Sequence, residues 1–298
     1  MIGTLPPTSL HPAKTRAKRS RIAPRTATVV NTTLAAIVGV AFFLPALWIL
    51  VGSFRPTIDI LNNLSPLTWE LIIPTQVTID NYVTLLIGEG FGTALINSLV
   101  VCAVSVVAGL VISVMAAYAL TVFQFRGREV IFAVVVISFM VPFEAIAIPL
   151  SQLFTSWSLG NTLVGLILPG IGNGLAIFNL RQYFMGIPSS YREAAMIDGA
   201  SEPRVLFSIY TRMSGPALTN SALLIFLGQW TAYLWPLLMV TDDDLQLAPV
   251  ALAGTFGEHT ADYGANFAGA VLLSLIPAVS IFLLQRSFGR LSMGSGEK

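Results

Sequence analysis

Five stretches without a charged side chain dominate the chain: Thr26–Phe54, Gly90–Phe125, Ala145–Leu180, Met213–Thr241 and Tyr263–Gln285. Each reaches or exceeds the roughly 20 apolar residues that cross a hydrocarbon core. A further apolar run, from Val130 to about Leu153, is interrupted only by Glu144. The stretch SQLFTSWSLGN (Ser151–Asn161) is polar and ends in Gly-Asn, so it divides the run that begins at Ala145. The pattern predicts an all-α membrane protein with six transmembrane helices, at about 28–53, 94–121, 130–154, 163–184, 216–240 and 264–286.

Charge orients these spans. Only 10% of the residues are charged, against about 25% in a soluble globular domain. An even number of spans places both termini on one side, and the basic N-terminal stretch (Lys14, Arg16, Lys18, Arg19, Arg21, Arg25) marks that side as cytoplasmic. Of the 16 Lys and Arg residues, only Arg55 then falls outside. The first apolar run is longer than the core of a signal peptide and lacks a small-residue cleavage site after it, so it is expected to remain as a span. The single cysteine, Cys102, reads as a small core hydrophobe.

The missing chemistry narrows the function. All three lysines follow Ala or Glu, so no Gly-Lys-Ser/Thr phosphate loop exists and the chain itself is not expected to hydrolyse ATP. Two histidines and one cysteine offer no metal cluster, and no base accompanies a nucleophilic serine within the membrane. Coupled carriers and intramembrane hydrolases usually need ionisable groups at membrane depth, away from the span ends, and here only Glu144 qualifies. A self-sufficient secondary carrier or channel remains the alternative to a subunit of a larger transporter. Nothing points to nucleic acid.

One cytoplasmic loop is unusual: SSYREAAMIDGASEPRVLFSIY (Ser189–Tyr210). Pro188 ends the preceding helix, and Ser190 with Glu193 has the spacing of a capping box. The helix starting there runs about eight residues to Gly199, a helix-stopping residue. Ser201 then caps a second helix, with Pro203 in its first turn and an apolar stripe of Val205, Leu206, Ile209 and Met213. A first helix this short is not stable alone in water. Its exposed face would carry Tyr191, Ala194, Ala195 and Met196. Packing on the chain's own helix ends and docking on another protein are both open at this point.

These residues resemble the cytoplasmic signature of the membrane subunits of binding-protein-dependent ABC importers: Glu-Ala-Ala, three residues, Gly, nine residues, Ile, one residue, Leu-Pro. Glu193-Ala194-Ala195, Gly199 and Ile209 fall on that spacing, and Ile187-Pro188 with Ile197-Asp198-Gly199-Ala200-Ser201 resembles its extended carbohydrate-uptake form. ALINSLVV (Ala94–Val101), AAYALTVFQFRGR (Ala116–Arg128), MVPFEAIAIPL (Met140–Leu150), LGNT (Leu159–Thr162), WPLL (Trp235–Leu238) and the tail QRSFGRLSMGSGEK are similar to landmarks of the maltose-transporter-type small permease. Thr211-Arg212 departs from the signature's Leu-Pro, and Thr231-Ala232-Tyr233 stands where the family often has Asn and acidic residues.

The resemblance implies a permease domain over 28–290, with a coupling hairpin at 186–213, between cytoplasmic tails 1–27 and 291–298. It implies a second permease, a cytoplasmic ATPase dimer that binds ATP and Mg (this chain binding no cofactor), an extracytoplasmic binding protein and a sugar-like solute. The ATPase-coupling residues would be Tyr191, Glu193, Ala194, Ala195, Ile197, Asp198 and Gly199, with Glu193 both capping the helix and contacting the ATPase. The acidic outer residues Asp59, Glu70, Asp80, Glu89, Asp242, Asp243, Asp244, Glu258 and Asp262 read either as loop solvation or as a docking surface for the binding protein.

For the substrate path the expected residues are Glu144, Asn173, Asn179, Trp230 and Tyr233. Glu144 reads equally as a path residue or as an interfacial group lifted by Pro142. The stretch PGIGNG (Pro169–Gly174) would break the fourth span, either to line a cavity or to pack closely. Trp48, Trp157 and Trp235 are expected at the outer membrane boundary.

Overall fold

The computed structural model describes residues 24–62, 74, 76–256 and 262–292, with side chains described for 28–60, 62, 74, 76–256 and 262–284 of these. The basic tail through residue 23, Glu70, Glu258 and residues 293–298 lie outside the described residues. Among the described residues every regular element is a helix. Four helices are long and apolar enough to cross a membrane, and a bent pair makes a fifth.

The chain divides into two units, at Leu47/Trp48. The first is formed by most of α1 (Pro24–Gly52), a helix containing Pro45. Apart from Arg25 at its start the helix carries no charge, and its Val29, Leu34, Val40 and Phe42 are all exposed. A helix stretch that is apolar all round meets its solvation needs in lipid rather than in water.

In the second unit the central element is α4 (Phe91–Val122), 32 residues long and so about 48 Å from end to end. One face of α4 buries Ala94, Ser98, Ser105, Gly109, Ser113 and Ala117, a small-residue stripe that lets neighbouring backbones approach. Against α4 pack α7 (Leu163–Ile171), α8 (Gly174–Phe184), α12 (Gly215–Trp230) and α14 (Ala248–Thr255). A methyl group at Gly109 would sit 3.4 Å from the Ile171 backbone and 3.2 Å from Ile225. Two serines of the stripe also bond: Ser98 accepts from the amide of Ala248 at 2.8 Å, and Ser105 from Gln229 at 3.0 Å.

Three of the expected spans are interrupted. Residues 130–154, expected as one helix, form α5 (Arg128–Met140) and α6 (Phe143–Ser156), bent by 98° to each other. Val141 and Pro142 are extended at the bend. Proline lacks an amide proton and pushes the preceding residue out of the helical region, which accounts for the break. The fourth run breaks between α7 and α8 at Gly172 and Asn173, inside the glycine-rich stretch. The fifth, expected as continuous over 216–240, stops after the 16 residues of α12 and resumes at α13 (Leu234–Met239). The last run continues unbroken as α15 (Tyr263–Ser292).

The end near residue 240 is held by side-chain bonds to loops. Asn161, with φ 52°, accepts from the amide of Thr241 at 2.7 Å and donates to its hydroxyl at 2.9 Å. Trp235 is buried, donates to the carbonyl of Gly165 at 3.1 Å and packs edge-on against Phe154 and Phe143. It is a core residue rather than the boundary anchor expected, whereas Trp157 is exposed. Near the start of this unit, Asn81 donates to the carbonyls of Ser53 and Arg55 at 2.8 Å each.

Gly109→Ala is expected to be tolerated, because the nearest contact is a flexible Ile225 methyl. Gly109→Leu should separate α4 from α7 and α12 at an overpacking cost of about 1–3 kcal/mol. Thermal unfolding of the detergent-solubilised protein measures this, and an unchanged midpoint for the leucine variant would contradict the close packing described.

Candidate functional site

The polar hairpin is built from α9 (Ser189–Ile197), α10 (Glu202–Val205) and a π turn (Leu206–Tyr210) that leads through α11 (Thr211–Met213) into α12. Gly199 has φ 81°. Its amide donates to Met196 at 3.1 Å and that of Ala200 to Ala195 at 2.9 Å, the paired bonds of a Schellman motif. The expected capping box is not formed: Pro188 occupies the N-cap, Ser190 lies within α9, and no side chain caps that end. Ser201 does hold the N-cap position of α10, with extended backbone but no side-chain cap bond.

The π turn adds a residue to one helical turn and so rotates the succeeding residues about the helix axis. The buried stripe is therefore Val205, Leu206 and Tyr210, while Met213, expected in it, is exposed. Tyr210 packs edge-on against Tyr118 and Phe184, with ring centroids at 4.9 and 5.4 Å. These residues belong to a core cluster with Val114, Ala117 and Leu180 that joins the hairpin to α4 and α8.

An ion pair closes the hairpin. Glu202 accepts from Arg192 through both carboxylate oxygens and from the Tyr118 hydroxyl at 2.5 Å. The Arg192 guanidinium holds the Glu202 carboxyl below its ordinary pKa, and Glu202 in turn raises that of Arg192. No sequence motif points to Arg192, Glu202 or Tyr118, since no periodicity marks a bond between residues 118 and 202.

The sequence-predicted coupling residues separate into two groups. Ala195 is half-buried and packs on the core cluster rather than standing on the outer face. Tyr191, Glu193, Ala194, Ile197, Asp198 and Gly199 are exposed, as is Met196. Ile197 is 86% exposed, which leaves a large aliphatic side chain beside small and acidic ones on a helix of 9 residues.

Next to the hairpin, Arg181 at the end of α8 is buried. Its guanidinium lies 3.8 Å from the Phe132 ring centroid, donates to the Leu120 carbonyl at 3.3 Å and faces Glu129 at 3.4 Å. One cation thus ties α8 to α4 and α5.

The three helix breaks meet at a cavity of about 580 Å³. Glu144 comes from the first turn of α6, Asn173 from the α7/α8 break, and Thr231 and Tyr233 from the α12/α13 break. Three of the expected path residues, Glu144, Asn173 and Tyr233, therefore share one space. Asn173 also caps α8, accepting from the amide of Ala176 at 2.8 Å. Gln229 joins them. It crosses Gly170, where a methyl group would lie 2.5 Å from its Cδ. A lone glutamine in an apolar run is the sequence signal that marks it.

Two expected path residues lie elsewhere. Asn179 donates to Ser221 at 2.8 Å and to the Ala217 carbonyl at 3.2 Å, joining α8 to α12. Trp230 is buried and donates to the Leu273 carbonyl at 3.0 Å, joining α12 to α15. Both bonds are helix packing and not lining. A second, acidic cavity of about 560 Å³ is lined by Glu89, Asp243, Asp244 and Asp262. Among the described residues no group of three or more metal-ligating side chains is assembled.

Comparison with known proteins gives this geometry its family. The chain is 35% identical over 246 residues to the arabinooligosaccharides transport system permease protein AraQ of Halalkalibacterium halodurans, covering 82% of this chain and 87% of that protein. It is 27% identical to the lactose transport system permease protein LacG of Rhizobium radiobacter, covering 87% and 94% of the two chains. A chain in the crystal structure of a bacterial ABC transporter involved in alginate import has the same fold, with a TM-score of 0.77 at 23% identity, covering 89% of this chain and 96% of that one. Residues 109–292 match the binding-protein-dependent transport system inner membrane component, and the chain belongs to that family.

Proposed function

We propose that this chain is one of two permeases in an ABC importer for a sugar or related polyol. A separate ATPase dimer drives it and an extracytoplasmic binding protein delivers the solute. The relatives named for arabinooligosaccharide, lactose and trehalose transport favour a saccharide. A secondary carrier, the alternative class, is not favoured by this family membership.

In this reading the broken pairs α5/α6, α7/α8 and α12/α13 complete six spans of a multi-pass protein in the cytoplasmic membrane, with both termini and the hairpin on the cytoplasmic side. The observation that carries the coupling role is the exposed side of α9. Ile197, Tyr191 and Met196 offer apolar area next to Ala194, with Glu193 and Asp198 at its edge. A surface of this kind fits into a cleft of a partner. ATP binding and hydrolysis then belong to that partner, and this chain supplies contact and movement. Glu193 is left as a contact residue only.

The cavity at the three breaks is the proposed solute path. Unwound helix ends expose backbone polar groups where they face protein or water. Glu144, Asn173, Gln229 and Tyr233 add donors and acceptors of the kind that sugar hydroxyls require. The acidic residues at the other cavity are the proposed surface for the binding protein.

Two measurements test these assignments. Cysteine at Ala194 or Ile197 is expected to cross-link to a cysteine scan of the ATPase cleft. Capture of the ATPase from neither position would sink the coupling role. Glu144→Ala should lower ATP-driven solute uptake in proteoliposomes about tenfold, the scale of one lost hydrogen bond to a charged group, with cross-linking retained. Uptake equal to that of the unaltered protein would remove Glu144 from the path.

A further inference from the structure

The link between the hairpin and the membrane helices is more specific than packing alone. In sequence, α9 is joined to α8 through Met185–Pro188, which includes Gly186, and to α10 through Gly199 and Ala200. Each connection contains a glycine and is held by backbone bonds of its own turn. Glycine loses the most conformational freedom on ordering, and α9 by itself is too short to be stable. A push on the exposed side of α9 would turn it about these two joints unless a side chain crosses them.

One set of bonds does cross them. Glu202, the first residue of α10, takes the forked guanidinium of Arg192 from α9, and its Oε2 atom also accepts the Tyr118 hydroxyl. Tyr118 lies one turn before the end of α4, the helix against which α7, α8, α12 and α14 pack. The two helices of the hairpin and the distant end of α4 thus meet on one carboxylate. A bidentate arginine-carboxylate pair fixes orientation as well as distance. The Tyr118 ring packs edge-on against Phe123 just past the end of α4, at 5.7 Å, and against Tyr210 of the hairpin, at 4.9 Å, so its hydroxyl is presented to Glu202 from an ordered ring.

We infer that the Tyr118–Glu202–Arg192 bracket makes α9, α10 and the end of α4 move as one body, and that Tyr118 is the positioning residue through which displacement of the hairpin reaches the membrane helices. This rests on the coupling role proposed for α9. The pair alone would stiffen the hairpin internally; only the tyrosine hydroxyl carries the connection to α4 by a directed bond. Apolar burial around Tyr118 also holds the hairpin to α4 and α8, but it is non-directional, and the hydroxyl bond adds the fixed orientation.

Tyr118→Phe removes that bond and keeps the ring, and Glu202→Gln weakens both arms while keeping shape. The test uses the complete importer in proteoliposomes and measures solute taken up per ATP hydrolysed, with the binding protein loaded. The expected result for Tyr118→Phe is assembly at unaltered stoichiometry, continuing ATP hydrolysis and uptake per ATP lower by about tenfold. Glu202→Gln should fall at least as far. A structural role alone would reduce the yield of complex and leave this ratio unmoved, so a normal ratio in both variants overturns the inference. If Tyr118→Phe does not assemble, the ratio for Glu202→Gln decides alone. Failure of the underlying coupling role is distinct, since cysteines at Ala194 and Ile197 of the otherwise unaltered chain would then capture no ATPase.

Discussion

A helix that stops inside hydrocarbon leaves amides and carbonyls unpaired, at several kcal/mol for each group kept from a partner. The architecture of this chain depends on where it allows that to happen. The Val141-Pro142, Gly172-Asn173 and Thr231–Tyr233 breaks all border the same cavity. Asn173 bonds a free amide in the first turn of α8, and Glu144 places a carboxylate in the first turn of α6, where the helix dipole favours it. The polar groups at these breaks are gathered on one partly open cavity.

Close approach of the broken helices requires a slim partner, and α4 provides it. Its Ser98, Ser105, Gly109 and Ser113 are buried, while Val104, Val107 and Val111 on other faces are exposed. Ser105 both leaves room and accepts from Gln229, so the stripe that permits packing also anchors a residue of the cavity. Gly170 does the same from α7, since any side chain there would displace Gln229.

Much of this is legible in the amino-acid sequence. Charge-free runs locate the helices within a few residues, as at α4 and α7/α8, because uninterrupted apolar length is a direct consequence of membrane solvation. The hairpin's turn at Gly199 is legible for a similar reason: one residue type dominates left-handed helix ends. The 98° bend at Pro142 is not, since proline in a membrane helix is compatible with a kink or a break and neighbours decide which. The capping box at Ser190 fails because Pro188 takes the first position and starts the helix earlier. Trp230 and Asn179 carry the right polarity for a path, but their polar atoms are already bonded to helices that the sequence does not place beside them. The π turn at Leu206–Tyr210 leaves the expected Val205, Leu206 and Ile209 on the core, adds Tyr210 to them and turns Met213 outward.

The hairpin and the cavity are connected by construction. α8 begins at the cavity break with Asn173 as its cap and ends at Phe184, in the cluster that seats the hairpin. α12 begins where α11 leaves the hairpin and reaches Gln229 at the cavity. At 1.5 Å per residue these helices span about 16 and 24 Å, and Asn179, at the middle of α8, bonds to Ala217 and Ser221 in the first half of α12. Under the coupling role proposed above, a tilt applied at the hairpin would act on two helices that are bonded to each other through Asn179 and interrupted where the cavity lies. Continuous helices would carry that tilt past the cavity as a rigid rotation. Breaks at Gly172-Asn173 and Thr231–Tyr233 let the segments beyond, α7 and α13, stay on their own core around Trp235 and Leu166.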